Sequence, residues 1–257
     1  MGNNINNDDA IVLNKIIDKE KIASIRQIEM YTDFLNIHEQ SIYKSNKKYL
    51  AGINHIFYGG YDYSERKILA FYPDYIDSNN IKYPIVILEI RPRNMKFSNN
   101  LTHRDFLGAI LNLGITRAKV GDIIVKDNFA IAFVSQVVSD YIITSLEKVK
   151  QTVVDVQILH TLPDEILTPS FQHIKGTVSS IRLDSLISLA FPLSRGKAVT
   201  QIRNKNVYVN SKMILSPSYN LIEGDIVSVR GIGKFLFYQI GNRTKKDRIY
   251  IELKRYT

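Results

Sequence analysis

With 257 residues the chain is long enough for two or three small domains, and its 45% hydrophobic and 23% charged residues exclude a mostly disordered protein. It contains no cysteine, which excludes disulfides, thiolate zinc sites, iron–sulfur clusters and cysteine nucleophiles. Its five histidines show no pair at metal-ligand spacing, so neither a metal nor a cofactor is expected. The formal charge of +9 sits wholly in the last third: from Thr177 onward 14 Lys and Arg face 5 Asp and Glu, while the first 176 residues hold 20 of each sign. A basic module on a neutral body points to a polyanionic partner.

In chain order, residues 1–9 are polar and acidic, unlike a secretory signal, and no apolar run reaches the roughly 18 residues of a membrane span. A cytoplasmic protein that does not enter the membrane is therefore expected. Residues 11–58 read as helical, with Ile11, Leu13, Ile16, Ile17, Ile22, Ile25 and Ile28 at mixed three-to-four spacing, up to the break at Gly59-Gly60. A strand follows at residues 68–72. Residues 84–90 (strand), 102–113 (helix), 122–125 and 129–134 (strands), 137–146 (helix) and 152–158 (strand) make the βαββαβ order of a ferredoxin-like domain. Thr102 and Asp105 resemble a capping box, and Gly114 a helix stop. Residues 161–176, with Pro163 and Pro169, read as a linker. Two short helices, residues 180–191 and 194–205, then lead into strands at 207–209, 225–229, 235–240 and 250–253. The expected organisation is α+β: a mostly helical domain over residues 1–76, a ferredoxin-like domain over 77–160, the linker, and a C-terminal α/β module over 177–257.

The C-terminal module carries the functional signal. Arg182-Leu183-Asp184 opens its first helix, and Leu183, Leu186, Ile187 and Ala190 form that helix's apolar face. Ser194 is a natural N-cap for the second. Arg195 and Lys197 stand in the first turn of a helix whose free amides and positive dipole end favour phosphate. The spacing of Arg182-Leu183-Asp184, Ser194-Arg195, Ala198, Ile202, Val207, Val209-Asn210 and Gly224-Asp225 resembles the RNA-binding domain named after ribosomal protein S4. That pattern usually has glycine at Lys205 and Ser211, so a less comfortable backbone angle is expected at these turns.

The resemblance implies a basic face against RNA formed by Arg182, Ser194, Arg195, Lys197, Asn210 and Lys212. Charge and proximity add Arg203, Lys205, Arg230 and Lys234. Arg182 and Asp184 also have a structural reading, as a bridge across the helix start. Further upstream, Gly59-Gly60-Tyr61 with Glu65-Arg66-Lys67, residues 101–109, Leu113-Gly114-Ile115 and residues 121–125 are similar to the YlmH family of bacterial RNA-binding proteins, over nearly the whole chain. Membership implies that the ferredoxin-like unit also binds RNA. It further implies structured ribosomal or transfer RNA as partner, on a large ribosomal subunit and in ribosome quality control.

Other motifs carry less. His103-Arg104-Asp105 copies the start of a kinase catalytic loop, but Ile110 stands where its asparagine is needed. His103 and Arg104, with Arg91, Arg93, Lys96 and Arg117, could form a secondary RNA surface. Residues 129–134 read as a buried strand rather than an aromatic base-stacking strand. Gly231-Ile232-Gly233-Lys234 reads as a tight turn; Tyr238 and Tyr250 could stack on bases, but strand tyrosines are usually packed, and that is the plainer reading. The expectation is a non-catalytic RNA-binding protein. The alternatives are an RNA-modifying enzyme of pseudouridine synthase or methyltransferase type, and a binder of DNA or anionic membranes. The oligomeric state is left open.

Overall fold

The computed structural model describes residues 7–46, 52–94, 100–162, 170–210 and 212–256. The chain divides into two compact units, residues 1–168 and 169–257.

In the first unit α1 (Asn7–Arg26) and α2 (Ile37–Asn46) pack on a three-stranded antiparallel sheet ordered β1 (Met30–Tyr31), β3 (Ile68–Tyr72), β2 (Asn54–Tyr58). The helical pattern expected over residues 11–58 therefore fails twice, between α1 and α2, where β1 lies, and again at β2. Aromatic and β-branched residues at 54–58 pair with β3 instead, because Phe71 and Leu69 offer a buried face for Tyr43 and Phe57. Next come β4 (Ile85–Pro92), α3 (His103–Asn112), β5 (Val120–Lys126), β6 (Phe129–Ser135), α4 (Gln136–Ser145), β7 (Lys148–Val149) and β8 (Thr152–Ile158). The sheet order β5-β6-β4-β8-β7, all antiparallel, is the ferredoxin-like arrangement with one short extra strand at the edge. At the start of α3, Asp105 accepts from the Thr102 amide (2.8 Å) and hydroxyl (2.7 Å), as the capping reading expected. A contact from Lys150 at 2.8 Å joins these bonds to pull its carboxyl down to about 2.

Strand β6 shows why its sequence lacks alternation. Ala130, Ala132 and Val134 pack under α3 and α4 with Phe106, Ile110 and Ile142, while Ile131 and Phe133 meet Phe34 and Ile68 from the N-terminal part. A strand buried on both faces reads as a continuous apolar run. Phe133 is 0% exposed, so this sheet has no stacking face at that ring.

Part of the upstream resemblance, residues 59–67 and 121–125, forms the joint between these two layers. Asp122 on β5 accepts from the Tyr61 hydroxyl (3.1 Å) and the amides of Glu65 (2.7 Å) and Arg66 (3.1 Å). The Arg66 guanidinium, whose pKa burial lowers, donates to the Val120 and Phe34 carbonyls. Gly60 has φ 101°, and a Cβ there would stand 2.3 Å from the Phe133 ring, so only glycine fits the turn.

The second unit is a six-stranded antiparallel sheet ordered β11 (Lys212–Met213), β10 (Val207–Val209), β12 (Ile226–Val229), β13 (Gly233–Arg243), β14 (Ile249–Tyr256), β9 (Phe171–Val178). Helices α5 (Leu183–Ala190) and α6 (Arg195–Arg203) cover one face. Residues 171–176, expected as linker, are thus strand β9. It is an edge strand paired with β14 along eight residues, and its largely polar composition hid it. Pro163 and Pro169, which suggested the linker, lie outside the described residues. Among the described residues no helix is long and apolar enough to cross a membrane.

Candidate nucleic-acid interface

Both helices of the C-terminal unit are anchored by their apolar stripes. Leu183, Leu186, Ile187 and Ala190 of α5, and Ala198 and Ile202 of α6, are all at most 1% exposed against Phe235, Phe237, Val207 and Leu253. That burial sets the start of α6 at the surface, where Ser194, Arg195, Gly196 and Lys197 are exposed. The Ser194 hydroxyl accepts from the Lys197 amide at 3.3 Å, the expected N-cap.

Beside this helix start lies Asp184, only 2% exposed. One of its oxygens accepts from Arg182 Nε at 3.2 Å and the other from Arg195 Nε at 3.0 Å. Burial pushes the Asp184 carboxyl up, but the hydrogen bonds and charges of Arg195 and Arg182 outweigh it and hold it below the usual carboxylate value. The Arg182 and Arg195 side chains remain 35% and 56% exposed. The carboxylate cancels one of their two charges and orients both forks. Arg182, Ser194, Arg195 and Lys197 are therefore brought together as one cationic patch at a helix N-terminus.

Not every residue assigned from sequence joins it. Arg203 and Lys205 are exposed at the other end of α6, about 12 Å along the helix. Arg230 sits beside them, its amide on the Asn206 carbonyl at 2.8 Å. Lys205 has φ 61°, the left-handed angle expected of a residue at a glycine position, whereas Ser211 lies outside the described residues. Lys212 pairs with Val209, whose side chain lies in the helix-side core, and so stands at the helix-side edge of the sheet.

Two residues depart from the expected face. The Asn210 amide is spent inside the fold: Nδ2 donates to Asp225 Oδ1 (2.7 Å) and Oδ1 accepts from the Ile226 amide (3.0 Å), holding a turn at φ 48°. It builds the site's support rather than its surface. Lys234 lies on the opposite face, since Phe235 next to it points into the core, and its ammonium stands 5.2 Å from the Tyr256 ring.

Of the secondary surface considered around His103 and Arg104, both of which are exposed, three arginines already have partners. Arg91 bridges to Glu89 (2.6 Å) and lies over the Phe129 ring, Arg93 pairs with Asp155 (2.7 Å), and Arg117 turns into the Val120 and Gly121 carbonyls. Burial and the neighbouring Arg66 bring the pKa of Arg117 down to about 10. Lys96 lies outside the described residues. Tyr238 and Tyr250, expected to be packed, are 45% and 52% exposed.

Residues 79–162 match the family model described as "Putative RNA-binding domain in YlmH", and residues 181–227 match the S4 domain. Over 248 residues the chain is 29% identical to "Ribosome-associated protein quality control protein P2" of Bacillus subtilis (strain 168), covering 96% of this chain and 95% of that one. It also resembles a solved structure, "Cell division protein ylmH from Streptococcus pneumoniae", with a TM-score of 0.50 and 26% identity over 62% of this chain and 95% of that one.

Proposed function

We propose that this chain, whose residues 79–162 match the RNA-binding domain model of YlmH and whose residues 181–227 match the S4 domain, is a YlmH-type ribosome-associated RNA-binding protein without chemistry of its own. Its helix-side patch grips structured ribosomal or transfer RNA on the large subunit, in the quality-control setting that its Bacillus relative is named for. One observation carries this reading: two guanidiniums held by a shared buried carboxylate stand beside a serine-capped helix start bearing Lys197. Planar forks fixed in this way suit phosphate oxygens, and the helix amides add donors without a side-chain ordering cost. Binding is then dominated by phosphate neutralisation, with shape and 2′-hydroxyl contacts selecting folded RNA.

An RNA-modifying enzyme of pseudouridine synthase type would need a reactive aspartate. The aspartate of Arg182-Leu183-Asp184 is 2% exposed and bound by two arginines, which favours the binding reading.

Sedimentation of cell lysate at low and high salt tests the ribosomal part: the protein travels with large subunits at low salt and leaves them at high salt. Migration only at the top of the low-salt gradient overturns it. In vitro, Arg195→Ala or Lys197→Ala weakens binding to a hairpin RNA and flattens its logarithmic salt dependence by about 1. Unchanged affinity in both variants removes the proposed contact surface.

A further inference from the structure

Helices α5 and α6 cover one face of the C-terminal sheet, and the other carries an unusual row of side chains. Phe235, Phe237, Ile251 and Leu253 point into the core, all at most 2% exposed, so strand alternation sends their neighbours to the opposite face. There stand Tyr250, Glu252, Lys254 and Tyr256 of β14, with Lys175 of β9 in register beside Glu252. A bulge between Phe237 and Gln239 leaves Tyr238 outside the ladder. Its ring lies flat against Lys254, whose Nζ is 3.5 Å from the ring centroid and 5.8 Å from that of Phe171. Phe171 and Tyr256 meet edge to face at 5.0 Å, and Lys234 stands over Tyr256. Glu252, the carboxylate within this row, accepts from His173 (2.7 Å) and faces Lys175 (3.7 Å), whose charge on the same face offsets it. Beside Tyr250 opens a recess of about 180 Å³ lined by Lys175, Gln239, Gly241 and Glu252.

We propose that this open face is a second RNA site, and that its ligand is single-stranded RNA. Bases stack on Tyr238 and Tyr250, while Lys234 and Lys254 hold the strand's phosphates. Rings interleaved with lysines fit nucleic acid better than protein, because lysine is depleted from the centres of protein interfaces. They fit an unpaired strand better than a duplex, whose base faces are hidden in its own stack. The side chains are not those of the helix-side patch, so this inference stands or falls apart from the reading above. Together the two faces would let one small module hold a folded RNA and an adjoining unpaired segment.

The test uses the full chain with two labelled probes, a twelve-nucleotide oligouridylate and a hairpin RNA. Tyr238→Ala, Tyr250→Ala and Lys254→Gln each weaken binding of the single strand about tenfold and leave the hairpin within about twofold. Lys254→Gln also lowers the single-strand salt slope by about 0.7. Tyr238→Phe, which keeps the ring, binds the single strand as the parent does, and circular dichroism melts confirm that each variant is folded. Arg195→Ala shows the converse selectivity, so loss of the hairpin phenotype alone strikes only the helix-side reading. The proposal is overturned if the parent protein does not bind the oligouridylate, if the tyrosine variants bind it unchanged, or if they weaken both RNAs equally. It is also overturned if anionic vesicles displace the oligouridylate while excess unlabelled single strand does not.

Discussion

Replacing Asp184 by asparagine sets two physical accounts of the patch against each other. The substitution keeps size and removes the charge that Arg182 and Arg195 share at 3.2 and 3.0 Å. A hydrogen bond to a charged group contributes about 1.5–3 kcal/mol, which for two such bonds gives an upper figure of about 3–6 kcal/mol. Arg182 and Arg195 keep 35% and 56% of their surface in water, which screens both bonds, and the amide oxygen still accepts one of them. The expected loss is about 2 kcal/mol from the C-terminal unit, read as faster hydrogen exchange in peptides covering α5.

The effect on RNA affinity decides between the accounts. If Asp184 is only a countercharge, losing it leaves one more net positive charge, and binding tightens with a salt slope steeper by about 1. If it orients the two forks, each long side chain must be ordered by the RNA itself at a cost on the order of 1 kcal/mol, and affinity falls about three- to tenfold despite the added charge. The structure supports the second account, and tighter binding in fluorescence anisotropy would refute it. The pH dependence follows from the same geometry. The folded carboxyl is held below its unfolded value of about 3.9, so its stabilisation is complete above that pH and is lost progressively as the pH falls from there through the lower folded value. The stability gap between parent and variant therefore closes in acid below about pH 4.

Asn210→Ala removes the bonds to Asp225 and Ile226 at a left-handed turn, lowering stability by about 2 kcal/mol in chemical denaturation. The salt slope of RNA binding should stay unchanged, and a reduced slope would return Asn210 to the contact surface. Asp122→Ala strands the Glu65 and Arg66 amides and should destabilise the first unit by about 2–4 kcal/mol. Hydrogen exchange should rise around residues 59–67 while α5 and α6 keep their protection; protection unchanged around residues 59–67 would contradict the joint described here.

Local information was enough for the elements whose residues report on their immediate neighbours. The βαββαβ order, the cap at Ser194 and the apolar stripes of α5 and α6 follow from periodicity and from residue types placed two to four apart, and a first-turn cation lies beside its own cap whatever else the chain does. Composition was likewise sufficient to put the excess charge in the last third. Long-range pairing was not readable in this way. Strand β9 has a solvated, polar edge pattern and becomes a strand only because β14, some 75 residues later, supplies its hydrogen bonds. That pairing brings Lys175 beside Glu252 and Tyr250, so the open sheet face could not be seen while residues 171–176 read as linker. The same holds for Asn210 and Lys234. A sequence states that a side chain can bond phosphate, but only the tertiary fold decides whether its atoms are already spent and which side of the sheet they face. A one-residue change in strand register reverses the face, and the free energy that sets the register comes from the whole core.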